Sequence, residues 1–188
     1  MSKDLQGSRR NVLALAGRRI DAEGAEPARF PLSQVDAVRR RLNSLMVEQQ
    51  IAAVVCSAAC GADLVALEEA GKLGLRRRVV LPFAKERFRQ TSVVDRPGDW
   101  GEAYDRVIAE VDASGDLIEL APSPGGDSDG YRAANEAIIK EAETIAGSGE
   151  RVAAIVWEGS SRSKSDTTND FRMLAEKAGF SQCVVPTL

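Results

Sequence analysis

Ser57-Ala58-Ala59-Cys60-Gly61-Ala62-Asp63 places a hydroxyl, a thiol, a glycine and a carboxylate in seven residues, between an apolar run and a helical face that starts at Leu64. Small side chains leave the start of that helix open. Gly61 permits close backbone approach, and the free N–H groups of a first helical turn attract an anion. Asp63 has two readings, a first-turn helix stabiliser or an acceptor for a ribose hydroxyl. The turn is neither a Walker loop nor a dinucleotide fingerprint.

Two further segments carry chemistry. Ala16-Gly17-Arg18-Arg19-Ile20-Asp21 follows the opening apolar run. Gly17 allows a turn or a close ligand there, and Arg18 and Arg19 supply cationic forks; a plain turn fits equally. Glu158 to Asp170 follows another apolar run and holds Gly159, four serines, Thr167, Thr168, Arg162 and Lys164 ahead of a helix, with Asp166 and Asp170 among them. The hydroxyls and cations suit a phosphate cradle, whereas the carboxylates repel phosphate unless they face a sugar or cap the helix. A capped loop is the other reading.

The elements that position these segments follow from periodicity. Short apolar runs at Asn11 to Ala16, Ile51 to Val55, Arg78 to Leu81, Asp116 to Leu120, Val152 to Trp157 and Gln182 to Val185 are nearly continuous, which predicts strands buried on both faces of a parallel sheet. Between them run amphipathic stripes: Val35, Val38, Leu42, Leu45 and Met46; Trp100, Tyr104, Val107, Ile108 and Val111; Tyr131, Ala134, Ile138 and Ile145; Phe171, Leu174, Ala175 and Ala178. Ser33 and Asp36 have capping spacing. The alternation predicts a single α/β domain over residues 1–188, with a Rossmann-like parallel sheet and helices on both faces. Ligands of such sheets bind beyond the carboxyl ends of the strands, where the three segments fall. Pro122 to Gly130 reads as a loop placed to act as a flap.

Composition narrows the chemistry. A chain of 188 residues with net charge −3 and no long basic run argues against nucleic acid as principal partner. The triplets Arg39 to Arg41 and Arg76 to Arg78 read as solvated charge at element edges. The absence of histidine removes the commonest general base and metal ligand. Three cysteines with no second pair and no histidine argue against both a disulfide framework and a metal site. No stretch suggests a leader or membrane span, so a reducing cytoplasm is expected, with no metal and no cofactor.

Taken together these residues resemble the SLOG superfamily, the Rossmann-like group relating Smf DNA-processing proteins to LOG phosphoribohydrolases, and within it the bacterial sensor-type branch. Gly17-Arg18-Arg19-Ile20-Asp21 and Arg29-Phe30-Pro31 stand where that branch has Gly-His-(Arg/Met)-Ile-Asp and Arg-Phe-Pro. Ser57 to Asp63 looks like its Ser-x-x-Cys-Gly-Ala-Asp turn. Leu81-Pro82-Phe83 with Glu86, Phe88, Ser92 and Val93 resembles its next strand and helix, and Gly98-Asp99-Trp100 also fits. Tyr131, Asn135 and Ile139 match a Tyr-rich helix, and Val156-Trp157-Glu158-Gly159 a Val-Trp-Asp-Gly strand end.

Three departures stand out. Arg18 replaces histidine, and Asp166-Thr167-Thr168 replaces the Gly-Gly-Thr of many relatives; Asp170 is followed by Phe171 where phosphoribohydrolases carry an acidic pair. The resemblance implies a module that binds a nucleotide or an NAD- or ADP-ribose-derived ligand in bacterial signalling or defence, using Gly17, Arg18, Arg19, Ser57, Cys60, Gly61, Asp63, Glu158, Gly159, Thr167 and Thr168. Its output would need an effector protein or self-association into a homo-oligomer. Two alternatives stay open: an N-glycoside hydrolase with Asp170 or Glu158 as acid/base and Arg18 or Arg19 on phosphate, and a non-catalytic interaction scaffold.

Overall fold

Six parallel strands form one sheet in the order β4-β3-β2-β1-β5-β6. In the computed structural model, which describes residues 11–163 and 165–188, they are β1 (Asn11–Gly17), β2 (Ile51–Cys56), β3 (Arg76–Leu81), β4 (Leu117–Glu119), β5 (Arg151–Trp157) and β6 (Ser181–Pro186). Residues 1–10 of the expected domain and Lys164 of the third segment lie outside the described residues. The expected α/β sheet with helices on both faces is the fold observed, and every expected strand is found with small changes at its ends.

The alternation of side chains along each strand sorts the core into two layers. Leu13 and Leu15 of β1 join a cluster with Val38, Leu42 and Met46 of α1 (Val35–Glu48), α2 (Ala62–Lys72) and Tyr104, Val107 and Val111 of α4 (Trp100–Ala113). Val12 and Ala14 point the other way, toward Ala134, Ile138 and Ala142 of α5 (Asp127–Ala146) and Phe171 and Ala175 of α6 (Thr167–Lys177). Phe171 is fully buried there, and truncating such a side chain to alanine costs about 3–5 kcal/mol.

The chain runs outward from β1 through β2, β3 and β4, then returns across the sheet via α5 to place β5 on the other side of β1. Right-handed crossovers in opposite directions deposit helices on opposite faces. The strand order therefore reverses at β1, and the crevice beyond the carboxyl ends of β1 and β5 is where such sheets take ligands.

Several local expectations change. The α1 N-cap is Gln34 with no side-chain cap, because Ser33 sits in a 3-10 turn, Leu32–Gln34. Residues 127–130 belong to α5, so the Pro122 to Gly130 loop shortens to a few residues and contributes nothing to the cavity described below. Arg76 to Arg78 lie within β3 and are paired with Asp116, Glu110 and Glu141. A short helix, α3 (Lys85–Ser92), follows β3 and buries Phe88. No helix of the described residues is long and apolar enough to cross a membrane.

Candidate functional site

A cavity of about 400 Å3 opens at the carboxyl ends of β1 and β2. Its floor is Leu15 to Ile20 and the Ser57 to Asp63 turn; its walls are Phe88 and Ser92 of α3, Tyr131 to Ile138 of α5, and Thr167 and Thr168 at the start of α6. Arg29, Arg96 and Arg162 complete the rim.

Of the expected site residues, Gly17, Arg18, Arg19, Ser57, Asp63, Thr167 and Thr168 are brought together on this cavity; Cys60, Gly61, Glu158, Gly159 and Asp170 do not line it. Cys60 points into the core, its N–H donates to the Ser92 carbonyl at 3.0 Å, and burial pushes its thiol up to about 11.

The two glycines serve packing between elements. A Cβ at Gly17 would sit 2.4 Å from Cβ of Ala62 and 2.6 Å from Cβ of Val156, so the residue lets β1 approach β5 and α2. Gly61 has φ +96°, and a Cβ there would meet the Arg18 carbonyl oxygen at 2.8 Å. The N–H of Ala62 donates to that same carbonyl at 3.1 Å and the N–H of Leu64 to the Ala59 carbonyl at 3.2 Å. Two of the first-turn donors expected to face an anion are thus consumed inside the protein.

Arg18 also differs from its expected role as a phosphate anchor. Its Nη1 donates to both oxygens of Asp166 at 2.7 and 2.8 Å, its Nε and Nη2 donate to Glu158 at 2.7 and 3.1 Å, and Nη2 also reaches the Ser160 carbonyl at 2.6 Å. Burial opposes the charge on each of the three, but the mutual hydrogen bonds outweigh it, raising Arg18 and lowering Glu158 and Asp166 from their ordinary values. Asp166 further accepts from the N–H groups of Arg162, Thr168 and Asn169, capping α6. A carboxylate of the protein itself occupies the anion position at this helix start, as the capped-loop reading holds.

Arg162 is expected among the cations of the third segment and Arg29 in the Arg-Phe-Pro likeness, but sequence reasoning does not join them to each other or to Arg96 as one rim. Arg29 pairs with Glu158, and Arg162 lies 3.7 Å from Asp166 with its side chain half exposed. Three guanidinium groups, those of Arg18, Arg29 and Arg162, therefore share two carboxylates. Burial, with the nearby charges of Arg18 and Arg29, lowers Arg162. Across the cavity Arg19 and Arg96 share Asp95, at 2.8 and 3.4 Å, and among the described residues the buried Arg96 Nε finds no hydrogen-bond partner. Each cluster carries one more cation than anion. Asp21, Glu26 and Asp63 also line the cavity; Asp21 is engaged by the N–H groups of Arg29 and Phe30, and Glu26 is exposed. Arg29 and Arg96 follow segments without strand or helix periodicity, so no sequence signal ties them to the other arginines.

Polar side chains also line the interior of the cavity. Ser57 Oγ is buried and, among the described residues, unbonded. Asn135 donates to the Thr167 carbonyl at 3.0 Å, and Tyr131 and Ser92 share a 2.7 Å hydrogen bond.

No family model matches the chain, and no curated protein matches it. Among solved structures the chain is similar to DNA processing protein A (DprA) from Streptococcus pneumoniae, with 14% identity over 93% of this chain and a TM-score of 0.43. It is also similar to the Moco Carrier Protein from Chlamydomonas reinhardtii, with 12% identity over 94% of this chain, 89% of that one and a TM-score of 0.34. The chain spans 58% of the length of the DprA chain.

Proposed function

We propose that this cavity binds a nucleotide or a nucleotide-derived molecule, and that the protein is a SLOG-like ligand-binding module of bacterial signalling or defence. The observation that carries the reading is the pair of arginine clusters, Arg18/Arg29/Arg162 and Arg19/Arg96, each with a surplus guanidinium, on one cavity of about 400 Å3 at the strand-order reversal. Surplus guanidinium groups in a concave, partly apolar site favour phosphate oxygens. Phe88, Tyr131 and Ile138 supply apolar wall for a base. Output passes through a partner chain or self-association.

Cleavage is not part of the proposal. Both Glu158 oxygens accept hydrogen bonds from arginines, which outweigh burial and hold its carboxyl below its ordinary value, so it is a weakened general base, and Asp170 is off the cavity.

The test is thermal unfolding with AMP, ADP-ribose and NAD, followed by chromatography of the added compound. A ligand that binds only the native state at a hundredfold excess over its Kd adds about 2.7 kcal/mol, so the expected result is a rise in Tm of roughly 5 to 10 °C with the compound intact. No shift with all three overturns the reading in favour of an interaction scaffold; release of free base overturns the assignment as a module without turnover.

A further inference from the structure

Ser57 and Asp63 stand apart from the arginine clusters. Both line the cavity, Ser57 on the turn after β2 and Asp63 in the first turn of α2. Among the described residues the Ser57 hydroxyl has no hydrogen-bond partner. Asp63 is 7% exposed and receives one hydrogen bond, from the Ala59 N–H to Oδ2 at 3.1 Å; among the described residues Oδ1 receives none. The turn that carries them is fixed by the Ala62-to-Arg18, Leu64-to-Ala59 and Cys60-to-Ser92 backbone hydrogen bonds. Buried hydrogen-bonding groups held rigidly and left unmet are what a polar recognition site presents before its ligand arrives.

The chemistry of the pair selects the group they would take. A carboxyl at Asp63 repels phosphate, and Arg19, whose charge acts on Asp63, together with Arg96 on the same wall, disfavours an ammonium. A hydroxyl suits both, donating to the Asp63 carboxylate and accepting from the Ser57 hydroxyl. Adjacent hydroxyls would use both Asp63 oxygens. Resting on the nucleotide reading of the cavity, we propose that Ser57 and Asp63 read the vicinal diol of the ligand's ribose.

This assignment couples the sugar to a proton. Burial raises the Asp63 carboxyl to about 7, against the lowering effects of the Ala59 N–H and of Arg19. The buried Cys56 thiol on β2 interacts with Asp63, and Arg96 after α3 and Tyr131 on α5 face the same space. Hydroxyls that donate to the carboxylate favour its ionised form. Diol binding near neutral pH therefore expels part of a proton from Asp63, and affinity for a ribose ligand rises with pH through this range.

The probes are AMP and 2′,3′-dideoxy-AMP, titrated calorimetrically into wild-type protein and Asp63→Asn at pH 6.5 in two buffers of different ionisation heat. The expected result is that wild type binds AMP at least about tenfold more tightly than the dideoxy compound, since a site built for a hydroxyl rejects the analogue that lacks it. Asp63→Asn should narrow that gap and remove the diol-linked proton release, while dideoxy-AMP, which carries the same 5′-phosphate and no diol, sets the baseline for both proteins. Equal affinity of wild type for the two nucleotides, or proton release unchanged in Asp63→Asn, overturns the diol assignment and leaves the nucleotide cavity standing. Binding of neither nucleotide overturns the diol assignment, and the cavity reading falls with it when ADP-ribose and NAD also give no thermal shift. A melting curve of Asp63→Asn separates loss of recognition from loss of fold.

Discussion

The guanidinium of Arg18 grips both oxygens of Asp166, at 2.7 and 2.8 Å, with both side chains almost fully buried. This pair ties the end of β1 to the N-cap of α6, and Glu158 on the other side of Arg18 ties both to the end of β5. The residue that replaces histidine in the resemblance thus holds three sheet-end loops in register, and by doing so it positions the cavity floor.

Removal of one partner from a buried ion network leaves unpaired charge behind, which costs about 3–5 kcal/mol. Arg18→Ala is therefore expected to lose stability on that scale in urea unfolding, whereas Arg18→Lys, which keeps the charge but cannot form the bidentate pair, loses less. An alanine variant within about 0.5 kcal/mol of wild type would show that the network does not stabilise the fold.

The pH dependence of stability separates two sets of carboxyls. Burial works to raise Glu158 and Asp166, but the hydrogen bonds of Arg18 outweigh it and lower both in the folded state, so the stability they contribute is fully present above the ordinary carboxylate range and is lost below that range as pH falls through their lowered folded values. Asp63 has the opposite sign. Raised to about 7, it binds a proton in the native state that the unfolded chain has already released, so stability falls as pH rises from about 4 to about 7. Asp63→Asn should flatten that fall and raise stability at pH 8, by up to about 4 kcal/mol from the size of the shift. Denaturant midpoints measured at pH 5 and pH 8 for both proteins check it; an equal fall in the two removes Asp63 as the source.

Gly17→Ala is expected to destabilise by about 1–3 kcal/mol through overpacking between β1, β5 and α2. Gly61→Ala should cost at least as much, since its Cβ would press on the Arg18 backbone and its φ of +96° disfavours any side chain. Thermal melts decide this. Full stability of either variant would mean the loops relax freely, in contradiction to the hydrogen bonds that join them.

Arg162→Gln tests the rim. Its side chain is half exposed and its nearest carboxylate is 3.7 Å away, so fold stability should change little, within about 0.5 kcal/mol. Nucleotide affinity should fall by about tenfold, with a weaker dependence on salt. Arg87→Gln, at a surface pair with Asp127, is the matched control. Identical losses in the two variants would assign the effect to general charge.

The sequence by itself determined the layers of this protein. Six nearly continuous apolar runs separated by helical stripes admit little besides a parallel sheet covered on both faces, because only that arrangement buries both sides of every strand. It also placed Ser57, Asp63, Thr167 and Thr168 in the segments that lead from strands into helices beyond the sheet's carboxyl ends, where the cavity lies. The roles within that region were settled by tertiary structure. Gly61 and Arg18 have the residue types of ligand contacts, and nothing local distinguishes a glycine or arginine facing a ligand from one facing a neighbouring loop. The difference arises because Asp166, 148 positions along the chain, folds back as the counter-ion of Arg18, and because Arg29, Arg96 and Arg162 converge from three separate loops. Charge pairing between distant segments leaves no periodic trace, since it depends on distances that exist only once the sheet has assembled.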